Sequence, residues 1–460
     1  MAEQARPCCV LPGFLKVISQ MSIHADRPPT NAPAVRPASV ARNTDPFLIA
    51  LAIMAAYYFF TKWNVTETQL AMMLVATVTV LMAAIEIAYA PWCKKPAPHL
   101  ETKTWLTHSA IKWLGTMAGL GLVLFAWWLL PEYHRPLYRP VKQAAWMLLP
   151  YVPALSAIYI LLTQKRLGLA EDDDWYLGML LLGKTKSIEW HRIRDGLLVW
   201  FVKGFFLPLN FSSAVVMLKS IRTEELPSLS TPWLQMVAQL DVMIFCTLVI
   251  SIIPGYLLSS RLLGTEIRKI DHSWFGWMVT LACYPPFLHG VFTSWLNYHG
   301  KNHGSTKPWA MLSADTPYLQ YILGGGIILM GLVHYWGEAI FNLRASNLSH
   351  RGIITNGPFR FTKHPVYVSK CAGWLLLWLP FAQAGSWLNN LRLTILWCGV
   401  CILLGLRGLA EEKLLSQDPD YDAYALWVDK HGIFKWVGKI YPPLSYAYRR
   451  KYWTQTISNT

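Results

Sequence analysis

The chain has 460 residues, of which 54% are hydrophobic and only 15% charged, and its mean hydropathy is +0.30. A soluble domain normally carries about a quarter charged residues, and several windows here approach or exceed the roughly 20 apolar residues that cross a bilayer. A soluble fold is thereby excluded, and an all-α, polytopic membrane bundle is predicted. The net charge of +15 is spread over many loops rather than gathered on one module, which argues against nucleic-acid binding.

Residues 1–45 are rich in Pro and Ala and hold no continuous span. The run VLPGFLKVIS is too short and too broken for a signal peptide, so a disordered cytoplasmic tail is expected. Cys8 and Cys9 are candidate acylation sites. About ten spans are then predicted, at 46–62, 69–91, 107–130, 144–163, 195–218, 235–258, 274–296, 318–341, 366–383 and 391–409. Pro285 and Pro286 interrupt the seventh and predict a broken or re-entrant segment. Asn389–Asn390 makes a tight turn between the last two, a helical hairpin. Glu86, Lys203 and Asp241 fall inside spans, where ionisable groups face the bundle interior or the interface. Lys94, Lys95, Arg166, Arg192, Arg268 and Arg344, among other basic residues, lie in even-numbered loops, which puts both termini in the cytoplasm. The organisation read from this pattern is a tail (1–45), an N-terminal multi-span region of no assigned role (46–316), a second membrane domain (317–445) and a basic C-terminal tail (446–460).

Other features point to no chemistry of their own. The cysteines form no disulfide framework, and the CxxC pair Cys398 and Cys401 sits on an apolar helix. His299 and His303 have helical spacing, but no acidic or thiol partner is close and glycines favour a loop, so no metal site is expected. The acidic patch EDDDW (171–175) reads as a solvated loop.

One stretch is too polar for its place. Residues 356–370, NGPFRFTKHPVYVSK, lie between two apolar runs. Asn356–Gly357–Pro358 marks a turn, since Gly permits positive φ and Pro fixes the next one. Pro365 disfavours helix at His364 and suits the first helical position, so His364 is expected at the start of a membrane helix on the cytoplasmic side. A helix start offers free N–H groups and a positive dipole end, and Arg360, Lys363 and His364 share that place. Such a site suits a carboxylate or phosphate; a basic loop that only sets topology explains the same residues. The next helical pair leads into RGLAEEKLLSQDPDYDAYALWV, residues 407–428. The hairpin returns Glu411 and Glu412 to the depth of His364, and a basic cluster facing an acidic pair can hold a zwitterion such as an amino-acid head. A solvated helix end is the other reading of the two glutamates.

Taken together, GPFRFTKHPVY, RxxxEE and YxxYxxxV resemble the isoprenylcysteine carboxyl methyltransferases and their phospholipid methyltransferase relatives, over roughly residues 318–430. The usual pattern, GxYxxxRHPxYxG, differs here at Phe359, Lys363 and Ser369. Lys lacks the planar fork of Arg. The resemblance implies an integral membrane enzyme that uses S-adenosyl-L-methionine, with a C-terminal cytoplasmic cofactor-binding segment. It implies that Gly357, Pro358, Lys363, His364, Tyr367, Glu411 and Glu412 hold the cofactor and that Arg407 faces the acceptor or the methionine carboxylate. Gly324, Gly325, Gly326 and Gly331 stand where relatives have a glycine pattern; close helix packing accounts for them equally.

The implied acceptor is a membrane lipid or lipid-modified acid. A prenylcysteine-type carboxylate is already ionised and needs no base, whereas a phospholipid amine must first lose a proton, with Glu412 or Tyr367 as candidate bases. Two other functions stay open: an NADPH-dependent isoprenoid or sterol double-bond reductase with a similar C-terminal module, and a non-catalytic transporter or scaffold.

Overall fold

The computed structural model describes residues 35–458 apart from 90–96, 225, 229, 289–290, 292–293, 300–306, 314–315 and 384–385. Cys8, Cys9, Lys94, Lys95, His303 and most of the predicted tail lie outside the described residues. The chain divides into two compact units. The larger comprises Ser39–Phe359 and His364–Leu414; the smaller includes Arg360–Lys363 and the chain from Leu415 onward.

The larger unit is helical. Its elements are α1 (Asp45–Phe60), α2 (Glu67–Ala88), α3 (Thr102–Leu129), α4 (Arg139–Leu148), α5 (Val152–Leu167), α6 (Asp173–Leu181), α7 (Trp190–Thr223) and α8 (Trp233–Leu257). They continue with α9 (Trp274–Leu281), α10 (Pro308–Leu312), α11 (Pro317–Ala339), α12 (Pro365–Trp378) and α13 (Trp387–Leu415). One two-residue antiparallel pair, Lys269–Ile270 with Ser349–His350, is the whole sheet among the described residues. Among the described residues, six helices (α2, α3, α7, α8, α11 and α13) are long and apolar enough to cross a membrane. This is a multi-pass all-α membrane protein.

The other four predicted spans take different forms. Residues 144–163 fall on two helices, α4 and α5, bent by 67° where Pro136–Leu148 meets Val152–Leu167. The predicted seventh span begins with the eight-residue α9, which stops before Pro285. The first and ninth are the 16-residue α1 and the 14-residue α12.

Polar groups inside the bundle are matched locally. Pro208, within α7, has no N–H to offer Gly204 O, and Trp127 Nε1 (2.9 Å) donates to that carbonyl instead. Arg344 donates two bonds to Glu86, at 2.6 and 3.1 Å, both side chains buried, which ties α2 to the segment after α11. Arg351 donates to Gly255 O (2.6 Å) and Leu258 O (2.7 Å), carbonyls that the end of α8 leaves without helical partners, and to Thr265 O (2.8 Å).

The acidic patch at 171–175 departs from the expected solvated loop. Asp172 caps α6 and pairs with Lys112, while Asp174 accepts from Trp200 Nε1 (3.0 Å) and Thr116 Oγ1 (3.1 Å). Close helix approach draws the patch inward. A Cβ on Gly115 would meet Asp174 O, and one on Gly178 would meet Ile111 O, each at under 2 Å. Gly119, one turn on from Gly115, packs instead against Trp200 of α7.

In the smaller unit, α14 (Pro419–His431) is capped by Asp418 and is followed by α15 (Val437–Ile440) and α16 (Tyr446–Ser458). Tyr421, Tyr424 and Tyr446 form its buried centre. The predicted basic tail is thus the helix α16, with Tyr446 Oη 3.0 Å and Arg450 Nε 2.7 Å from Asp422.

Candidate active site

The predicted helix start is where the sequence puts it. His364 is the N-cap of α12 and Pro365 its first residue. Gly357 has φ of +55°, in the left-handed region, and any Cβ there would press on Ile340 and Trp336. Pro358 and Phe359 are buried, and Phe359 packs edge-on against Phe341 at 5.5 Å. Phe359 brings no hydroxyl that this apolar contact would have to satisfy.

From this start, α12 and α13 bring the motif residues together. His364 Nε2 lies 3.1 Å from Glu412 Oε1, and Tyr367 Oη donates to Glu411. The His364 and Tyr367 rings are stacked at 5.6 Å. Gly408 lets the imidazole lie close against α13, since a Cβ there would meet the ring at 3.2 Å. Arg407 Nε stands 3.4 Å from Glu411 Oε1, and its guanidinium lies 5.3 Å from the centre of the Tyr367 ring. The two glutamates differ in exposure: the Glu412 side chain is 3% exposed and Glu411 35%. The cluster therefore holds acid, base and hydroxyl within hydrogen-bond reach, with the more exposed carboxylate able to exchange Tyr367 and Arg407 for a ligand. Trp336 Nε1, beside Gly357, is a buried donor with no hydrogen-bond partner among the described residues.

Lys363 belongs to the smaller unit, where its ammonium lies 2.9 Å from Asp429. Arg344 and Arg351 are committed to Glu86 and to the end of α8. Of the polar groups in 342–356, Asn347 reaches the cluster: Arg407 Nη2 donates to Asn347 Oδ1 at 2.5 Å.

The sequence reading missed three members of this site. Asn347 Nδ2 donates to Tyr284 Oη (3.2 Å), and Asn347 N–H donates to Tyr256 Oη (3.2 Å). Tyr284 Oη also lies 3.4 Å from Arg407 Nη1. Tyr256 and Tyr284 come from the N-terminal region that had no assigned role. Their sequence context, apolar residues and a Pro–Pro pair, carries no polar pattern to single them out.

Arg407 and Tyr284 also line a cavity of about 590 Å³. Its walls come from α7, α8, α11, α12 and α13, and apolar side chains such as Leu209, Leu248, Met330 and Trp374 make up most of them. Gly331 and Ser369 lie in the same wall, whereas a Cβ on Gly324 would meet Trp233, so that glycine serves packing. Neither Cys398 nor Cys401 lines it. Among the described residues no group of three or more His, Cys, Asp or Glu is placed to hold a metal. No family model, curated protein or solved structure matches the chain.

Proposed function

We propose that the chain is an S-adenosylmethionine-dependent methyltransferase of the isoprenylcysteine carboxyl methyltransferase type, acting on a lipidic acceptor. The observation that carries this reading is the meeting, at Arg407, of a polar cluster of both charge signs with a largely apolar cavity. The cluster fits a zwitterionic amino-acid head. Glu411 and Glu412 would receive its ammonium and ribose hydroxyls, and His364 and the Gly357–Pro358 turn would close around it, with the unpartnered Trp336 Nε1 as a further donor. When bound, the cofactor supplies a methyl group on a sulfonium that is its own leaving group.

The residues then have little bond-making to do. Their task is to align the acceptor and exclude water, the source of most of the rate in such a transfer. Arg407, held by Asn347 and Tyr284, orients an anionic acceptor. A carboxylate is ionised at neutral pH and needs no base, which ranks it ahead of an amine.

In the same reading the site and both termini are cytoplasmic and the chain crosses the membrane ten times, with α1, the α4–α5 pair, the 274–296 segment and α12 joining the six long helices. Reporter fusions after Lys62 and at Thr460 should then report opposite sides; both on one side would remove this topology.

The deciding experiment has two parts. S-adenosylhomocysteine and NADPH are compared for binding to the purified, detergent-solubilised protein. Membranes containing the protein are then incubated with methyl-labelled cofactor and extracted. Binding of the homocysteine compound, with base-labile label in the organic phase, is expected. Binding of NADPH alone would move the chain to the reductases, and label only in water-soluble products would exclude a lipid acceptor.

A further inference from the structure

The cavity does not end at the charged cluster. Along α8 its wall runs through Val249, Leu248 and Phe245 to Asp241, and along α12 through Ser369, Lys370, Gly373 and Trp374 to Leu377. Tyr256, hydrogen-bonded to Asn347, marks the level of the cluster on α8. Asp241 lies about four turns earlier, or about 22 Å at 1.5 Å per residue.

Asp241 is half-buried inside a membrane span and makes no hydrogen bond or ion pair among the described residues. Burial acts against its charge, and Lys307, seated over the Trp378 ring at 4.3 Å, offsets part of that cost from farther off. A carboxylate in a span is costly, and one that faces a cavity marks a place where a ligand or ion passes or binds. The cavity volume is that of a small-molecule site, and the lack of a metal-ligand cluster among the described residues gives no support to a metal ion. The cluster end carries the cations Arg407 and Lys370, whereas the far end carries an acceptor of hydrogen bonds.

We infer that the cavity binds an elongated molecule that is polar at both ends: a carboxylate at Arg407 and Lys370, an apolar body along α8, and a hydroxyl donated to Asp241. An ordinary fatty or prenyl acid satisfies the first two parts and leaves Asp241 in an apolar contact. A hydroxyl at the distal end removes that penalty, and a hydrogen bond to a charged group contributes about 1.5–3 kcal/mol, at least about ten-fold in Kd. The inference rests on the methyltransferase reading for what becomes of the carboxylate, but not for binding.

The test is saturation binding of radiolabelled ω-hydroxypalmitate and palmitate to the purified full-length protein in nanodiscs without cofactor. The wild type should bind the hydroxylated acid at least about ten-fold more tightly. Asp241→Leu should erase that preference while still binding palmitate, which shows the variant to be folded; Asp241→Asn should keep part of it. Equal affinities in the wild type, a preference that survives in Asp241→Leu, or no binding of either acid would overturn the inference. Methyl transfer to the same two acids is measured separately. Binding with the expected preference but no methyl ester would remove the proposed reaction and leave the two-ended site standing.

Discussion

His364 Nε2 and Glu412 Oε1 stand 3.1 Å apart, joining the first residue before α12 to the last turns of α13. Glu412 is buried, so this contact positions the imidazole, while the more exposed Glu411, the residue before it, faces Tyr367 and Arg407. The two neighbouring carboxylates thus differ in exposure and in partners, Glu412 with His364 and Glu411 with Tyr367 and Arg407.

His364→Ala and Glu411→Ala should each weaken S-adenosylhomocysteine binding by about ten-fold or more, the size of one lost charge-assisted bond. Calorimetry on purified variants measures this. Asn347 and Tyr284 still hold the buried Arg407 in Glu411→Ala, so its apparent Tm should fall only modestly. Unaltered binding in both variants would remove the site assignment.

Tyr284→Phe and Asn347→Ala should act on the acceptor rather than the cofactor. Both loosen Arg407, whose guanidinium they hold, so KM for a lipid acid should rise several-fold while the Kd for S-adenosylhomocysteine stays put. A change confined to cofactor affinity would place these residues elsewhere in the chemistry.

The Glu86–Arg344 pair is buried on both sides. Glu86→Met strands a guanidinium inside the bundle and should cost about 3–5 kcal/mol, read as a large fall in apparent Tm. The Glu86→Met, Arg344→Met double variant removes both charges and should recover more than half of that loss. Additive losses would mean that the two side chains are not coupled.

Asp173, at the start of α6, gives a pH dependence. Burial pushes its carboxyl up to about 6, against the pull of Arg192. Its folded value lies above its unfolded one, so its contribution to stability is fully present below about pH 4 and is lost as pH rises through 6. Asp173→Asn cannot titrate. Between pH 4 and 7 the wild type should lose stability relative to this variant, on the order of 2 kcal/mol. Parallel Tm curves for the two proteins would show that the group does not titrate in that window.

The local chemistry of the motif was legible because it depends on short-range rules. A proline after His364 sets a helix start, and a glycine at 357 takes the left-handed φ; the return of Glu411 and Glu412 to His364 was also expected, but Asn389 and Asn390 lie inside α13 and do not form the tight turn expected of them. Membrane character was equally legible, since twenty apolar residues in a row have few other uses. The segments at 144–163 and 274–296 were not: apolar length alone does not say whether a helix is straight, bent or broken.

The helical membrane class and the approach of His364 to the acidic pair were therefore readable from the sequence, because hydropathy and backbone stereochemistry act over a few residues at a time; the expected ten spans include the six long helices found. Packing of the whole bundle was needed to bring Arg407 to Asn347 and Tyr284, to draw Asp174 in against Gly115, and to set Asp241 in the same cavity as Arg407. Those relationships join residues 59 to 166 positions apart, and no local rule encodes them. They exist because helices in a membrane pack by shape and by matching buried polar groups, and the partner of each group is chosen by the whole bundle.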